Sequence, residues 1–100
     1  MIDANQTLNQ LAAANNGMNR LSAMIGAKNF AKSDDENFVS FKFMRGAANK
    51  ANYIKITLNA ADTYDIEFGK IHGHNYKVIS KHDGFYNDML YTLFTTETQM

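Results

Sequence analysis

Residues 52–71, NYIKITLNAADTYDIEFGKI, decide the fold. Ile54, Ile56 and Leu58 alternate with Tyr53, Lys55 and Thr57, and Tyr64, Ile66 and Phe68 alternate with Asp65, Glu67 and Gly69. A period of two with β-branched and aromatic residues is the pattern of strands with one buried and one wet face. Between the runs, Asn59-Ala-Ala-Asp62 supplies side chains that satisfy nearby backbone groups in a turn. The stretch predicts an antiparallel hairpin whose outer face sets Lys55 against Asp65 and Glu67.

Upstream, Phe30–Lys32 and Phe38–Met44 flank Ser33-Asp-Asp-Glu-Asn37 and predict a first hairpin with the acidic cluster Asp34-Asp35-Glu36 at its tip. That cluster reads as a solvated loop, because it lacks the ligand spacing of a calcium loop. Arg45–Ala51 carries Gly46 and no apolar period, so it reads as a basic connection. Before the first hairpin, Leu8, Leu11 and Ala12 and then Met18, Leu21, Ser22 and Ile25 have helical spacing. They predict one interrupted helix or two short ones, broken at Asn15-Asn16-Gly17 and stopped at Gly26, with the first dozen residues frayed.

Downstream, Tyr76, Val78 and Ile79 predict a short fifth strand, with Gly69 and Gly73 at bulges or turns. Phe85, Met89, Leu90, Leu93 and Phe94 predict an amphipathic final helix, with Asp83 as its N-cap and Asp88 near its start. The polar run from Thr95 to Met100 is expected to fray. The fold class is therefore α+β: an antiparallel meander of four to five strands flanked by an N-terminal helical segment and a C-terminal amphipathic helix. Residues 1–100 read as a single domain, with 1–5 and 96–100 as loose ends.

Composition narrows the function classes. The chain of 100 residues has zero formal net charge, no cysteine and no proline. Zero net charge argues against a generic polycation, and the lack of cysteine removes disulfide and thiolate chemistry and fits a cytoplasmic protein. No run of about 18 apolar residues predicts a membrane span, and MIDANQTLNQ lacks the pattern of a secretory signal.

No catalytic motif or phosphate loop is present, so the protein reads as a non-enzyme with no cofactor. His72 and His74 would point to one face of a strand, and His82 with Asp83 or Asp65 would have to complete any metal site. An exposed polar turn is the expected reading, with no metal. Ser80 near His82 is an accident of sequence unless the geometry shows otherwise.

Charge is uneven: residues 1–60 hold seven Lys/Arg against four Asp/Glu, and residues 61–100 three against six. Lys42, Arg45, Lys50 and Lys55, with Tyr53 among them, are candidates for a nucleic-acid platform on the outer sheet face. Tyr86 and Tyr91 on the last helix, with Tyr53, are candidates for a protein contact, since tyrosine is enriched at interfaces. Met24, Met44 and Met89 read as core fillers or as an adaptable patch. Edge strands without proline leave pairing with a second chain open. A homodimer is also expected, because small domains often gain stability by pairing.

Three stretches together, LSAMIGAKNF (21–30), NYIKITLNAADTYDIEFGKI (52–71) and YNDMLYTLFTTET (86–98), resemble a family of small proteins of phages, prophages and plasmids that carry no assigned function. The resemblance implies an accessory protein of a mobile element in the bacterial cytoplasm. It implies a partner among host, defence-system or phage proteins, bound without catalysis and with inhibition as one outcome. Replication accessories that bind nucleic acid are the alternative that the same resemblance allows.

Overall fold

The structure is a computed structural model, and it describes residues 4–12, 21, 23, 26–33, 37–44, 50–86 and 89–98. Helix α1 (Ala4–Ala12) is followed by strands β1 (Lys28–Ser33), β2 (Phe38–Lys42), β3 (Tyr53–Leu58), β4 (Tyr64–His72) and β5 (Asn75–Phe85), and helix α2 (Leu90–Thr98) closes the chain. The strands form one antiparallel meander in the order β1-β2-β3-β4-β5. The fold is α+β, as the alternation of residues 52–71 requires. Among the described residues, no helix is long and apolar enough to cross a membrane.

The central hairpin pairs Ile54 with Phe68, Ile56 with Ile66 and Leu58 with Tyr64. Ile54, Ile56, Ile66 and Phe68 are buried, and Val39 and Phe41 of β2 continue the same inner face. Leu8 and Leu11 of α1 and Leu90, Leu93 and Phe94 of α2 cover it. A file of rings crosses this layer. Phe30 meets Phe41, Phe41 meets Phe43, and Phe94 lies between Phe43 and Phe68 with centroids 6.3 and 6.4 Å away. Each such buried side chain contributes about 1.5–3 kcal/mol of burial, and ring pairs add to it.

The turn works as its residues predict. Asn59 N donates to Thr63 O (2.8 Å), and the Asn59 Oδ1 accepts from the N–H groups of Ala61 (2.9 Å) and Thr63 (3.2 Å). Asp62 takes a left-handed φ of 61°, which Asp tolerates better than most residues. Asn52 holds the other end of the hairpin by side-chain mimicry of a strand. Its Nδ2 donates to Ile71 O (2.9 Å) and its Oδ1 accepts from Ile71 N (2.8 Å), which extends the ladder beyond the backbone pairing.

Several expectations are corrected. The fifth strand is the longest, eleven residues, not short. Phe85 is its last residue, paired with Tyr64, so the final helix starts at Leu90 and Asp83 lies inside β5 rather than at an N-cap. Residues 95–98 are helical, with Thr98 buried and its Oγ1 donating to Phe94 O (2.6 Å), so the helix does not fray from Thr95. The first dozen residues are not frayed throughout either: Ala4–Ala12 is helical, with Leu8 and Leu11 buried. Met44 and Met89 are exposed rather than core. The expected acidic tip 34–36, the break at 15–17, and Met18, Ser22, Met24, Ile25, Arg45, Gly46 and Asp88 lie outside the described residues.

Candidate binding surfaces

Both helices cover the inner face of the sheet, and neither lies on the outer face. Register sets Lys42 beside Tyr53, Lys55 beside Glu67, Glu67 beside Lys81, and Thr57 beside Asp65. Lys42, Lys55 and Tyr53 therefore share this face as expected. Lys50 is exposed just before β3, and Arg45 lies outside the described residues. The lysines are interleaved with carboxylates. Lys81 Nζ lies 3.7 Å from Glu67 Oε1, and Lys55 Nζ sits over the Phe38 ring, 4.5 Å from its centroid. A depression of about 230 Å³ is lined by both signs: Lys55 and Lys81 against Asp65, Glu67 and Asp83. This is a mixed surface, not the single-sign stripe that phosphate tracking uses.

Tyr53 and Tyr76 meet edge to face on this side, centroids 5.6 Å apart, and line a second depression of about 370 Å³ with Glu67, Ile71 and His74. The Tyr76 ring lies on the backbone of Gly69. A Cβ added there would come within 2.4 Å of the ring, so glycine admits the ring and the ring shields a strand position without a side chain. Tyr76 OH donates to Glu67 Oε2 (2.5 Å). Burial of that ring face, then the hydrogen bond to Glu67 and its charge, hold the phenol well above the ordinary tyrosine value.

A raised folded-state pKa means that the folded chain keeps a proton the unfolded chain releases. This contribution to stability is present below about pH 10 and is lost as pH rises beyond it. The thermal midpoint is expected to fall above about pH 10, and Tyr76→Phe to fall less steeply. Melting curves across alkaline pH check this; equal slopes for both proteins would contradict it.

The three histidines do not gather. His72 ends β4, and His74 with Gly73 (φ 60°) forms the two-residue turn between β4 and β5. His82 is paired with Ile66, six residues along β4 from His72 and hence roughly 20 Å away. Among the described residues, no group of three or more His, Cys, Asp or Glu could hold a metal ion.

His82 and Ser80 are nevertheless brought together, on the inner side of β5. Both reach the same atom of α2: Ser80 Oγ donates to Glu97 Oε1 (3.1 Å), and His82 Nε2 pairs with Glu97 Oε1. A serine nucleophile needs imidazole between the hydroxyl and the carboxylate, to take its proton. Here the carboxylate stands in the middle, so the trio ties β5 to α2 rather than activating Ser80. No local sequence signal marks it, because Glu97 is 15 residues beyond His82.

The outer side of α2 is different in chemistry. Leu90, Leu93 and Phe94 turn inward, while Tyr86 is 62% exposed, Tyr91 45% and Met89 41%. A groove of about 310 Å³ is lined by Phe85, Met89, Thr92, Leu93 and Thr96, without a charged side chain. No family model, curated protein or solved structure matches the chain. Of the tyrosine candidates, Tyr86 precedes α2 rather than standing on it, Tyr91 is on the helix, and neither lines this groove. Tyr53 does not join them, since it stands on the opposite face of the sheet.

Proposed function

We propose that this protein is a non-catalytic accessory protein of a mobile element that docks onto a host, defence-system or phage protein through the outer side of α2. The observation that carries the reading is the uncharged groove of Phe85, Met89, Thr92, Leu93 and Thr96, together with the exposure of Tyr86, Met89 and Tyr91. Interface centres are depleted in charge and enriched in Tyr, Phe and Met, and this patch has that make-up. The resemblance to phage, prophage and plasmid proteins supports the mobile-element setting and the bacterial cytoplasm. The alternative reading, nucleic-acid binding by Lys42, Arg45, Lys50 and Lys55, draws less support, because Asp65, Glu67 and Asp83 interrupt the lysines of the open face.

Capture from bacterial host lysate tests the proposal. The wild-type chain is expected to retain a stoichiometric protein, and Tyr86→Lys with Tyr91→Lys to lose it, with affinity down about ten-fold or more and the thermal midpoint unchanged. No stoichiometric protein on the wild-type chain contradicts the reading. Binding to oligonucleotides that falls steeply with salt would support the lysine reading instead.

A further inference from the structure

Among the described residues, no strand pairs with the outer edge of β1 or of β5, and the two edges differ in length. β1 has six residues, a register shift between Lys28 and Ala31, and Asn29 at φ 56°. Short length limits how far a further strand can pair. β5 is eleven residues long, without proline and mostly exposed; it too carries lysines, two register shifts and a left-handed Gly84, and Ser80, Lys81 and His82 run between the two shifts.

Its backbone direction follows from the ladder. Leu58 N donates to Asn37 O (2.8 Å), so Leu58, Ile56 and Ile54 turn their backbone groups to β2, and Lys55 turns its groups to β4. The alternation then turns Glu67 to β3, and Ile66 and Phe68 to β5, where they meet His82 and Ser80. The N–H and C=O of Lys81 and the N–H of Asp83 are left facing the free edge.

Lys81 and Asp83 share the open face of the sheet, two positions apart. Among the described residues, the Asp83 carboxylate has no ion-pair partner, and the Lys81 side chain is 65% exposed. Opposite charges two positions apart on one strand face are self-complementary under a two-fold axis through the residue between them. An axis at Lys81 would set lysine against lysine, and an axis at Asp83 would set aspartate against aspartate.

We propose that β5 is a homodimer edge. Two copies pair β5 with β5, antiparallel about a two-fold axis at His82, so that Lys81 of each copy faces Asp83 of the other. The two five-stranded sheets become one continuous sheet. The proposal does not depend on the role given to α2.

Sedimentation velocity of the full chain over a concentration series tests it. A dimer is expected, and Asp83→Lys is expected to raise its dissociation constant about ten-fold, since two facing pairs become like-charged. Geometry is tested by cross-linking in this cysteine-free chain. His82→Cys would meet its own copy in a pair with Cα atoms about 4.5 Å apart and is expected to form a disulfide-linked dimer. Ser80→Cys would face Gly84 and is expected to stay unlinked. A wild-type monomer at every concentration, a dimer that Asp83→Lys does not weaken, or cross-linking of Ser80→Cys as fast as His82→Cys would overturn the proposal. Should His82→Cys not fold, Asp83→Lys, a change at an exposed position, decides alone.

Discussion

Phe68→Ala is expected to destabilise the protein by about 3–5 kcal/mol, the range for deleting a fully buried aromatic side chain. Phe68 has no exposed surface and stands where the layers meet. It is paired with Ile54 on one side and Ser80 on the other, stacked on Phe94 of α2 and edge-on to His82. Alanine leaves a cavity that a sheet fixed by pairing on both sides cannot close. Domains of this size have about 5–15 kcal/mol in total, so the loss is a large fraction of the whole. Phe68→Leu keeps much of the volume and should lose far less. Urea unfolding of the three proteins checks the order; a loss below about 1 kcal/mol for Phe68→Ala would mean that the inner face is packed otherwise.

Glu97→Ala is expected to lose about 1–3 kcal/mol, because one carboxylate serves both Ser80 and His82 and both are left without it. The Glu97 and His82 side chains are 21% and 28% exposed, so water recovers part of the loss. Glu97→Gln keeps an acceptor and loses the charge, and should fall between wild type and alanine. A double-mutant cycle with His82→Ala separates the contact from general damage: coupling of about 0.5–3 kcal/mol is expected, and additive losses would contradict a direct tie.

These two residues also mark what the chain discloses by itself. Phe68 was legible from its neighbours, since Tyr64, Ile66 and Phe68 alternate with polar residues and the sheet uses that alternation unchanged. Glu97 was not, because its partners lie across a strand-to-helix connection and no local spacing encodes them. β5 was misread for a related reason. Ser80-Lys-His-Asp-Gly84 has the composition of a loop, and Phe85 falls into a helical spacing with Met89 and Leu90. Pairing with Ile66 and Tyr64 overrides that propensity, aided by a register shift opposite Asp65 and a left-handed Gly84 at φ 74°. The contact of the Tyr76 ring with Gly69 and the Asn52 clasp on Ile71 were likewise hidden, since both are made between strands.

The candidate surfaces were half legible. Lys42, Lys55 and Tyr53 do share a face, as period two requires. The carboxylates that neutralise it come from β4 and β5, and only the register reveals how closely they interleave. Tyr86 and Tyr91 are both exposed. The uncharged groove depends on Phe85 ending a strand while Leu93 comes from a helix, which spacing alone does not give.

The most direct measurement is partner capture by two variants side by side, one altered on α2 (Tyr86→Lys with Tyr91→Lys) and one on the open sheet face (Lys42→Glu with Lys55→Glu). The account predicts that the α2 variant loses the captured protein while the sheet-face variant keeps it. Retention by the α2 variant and loss by the sheet-face variant would contradict it.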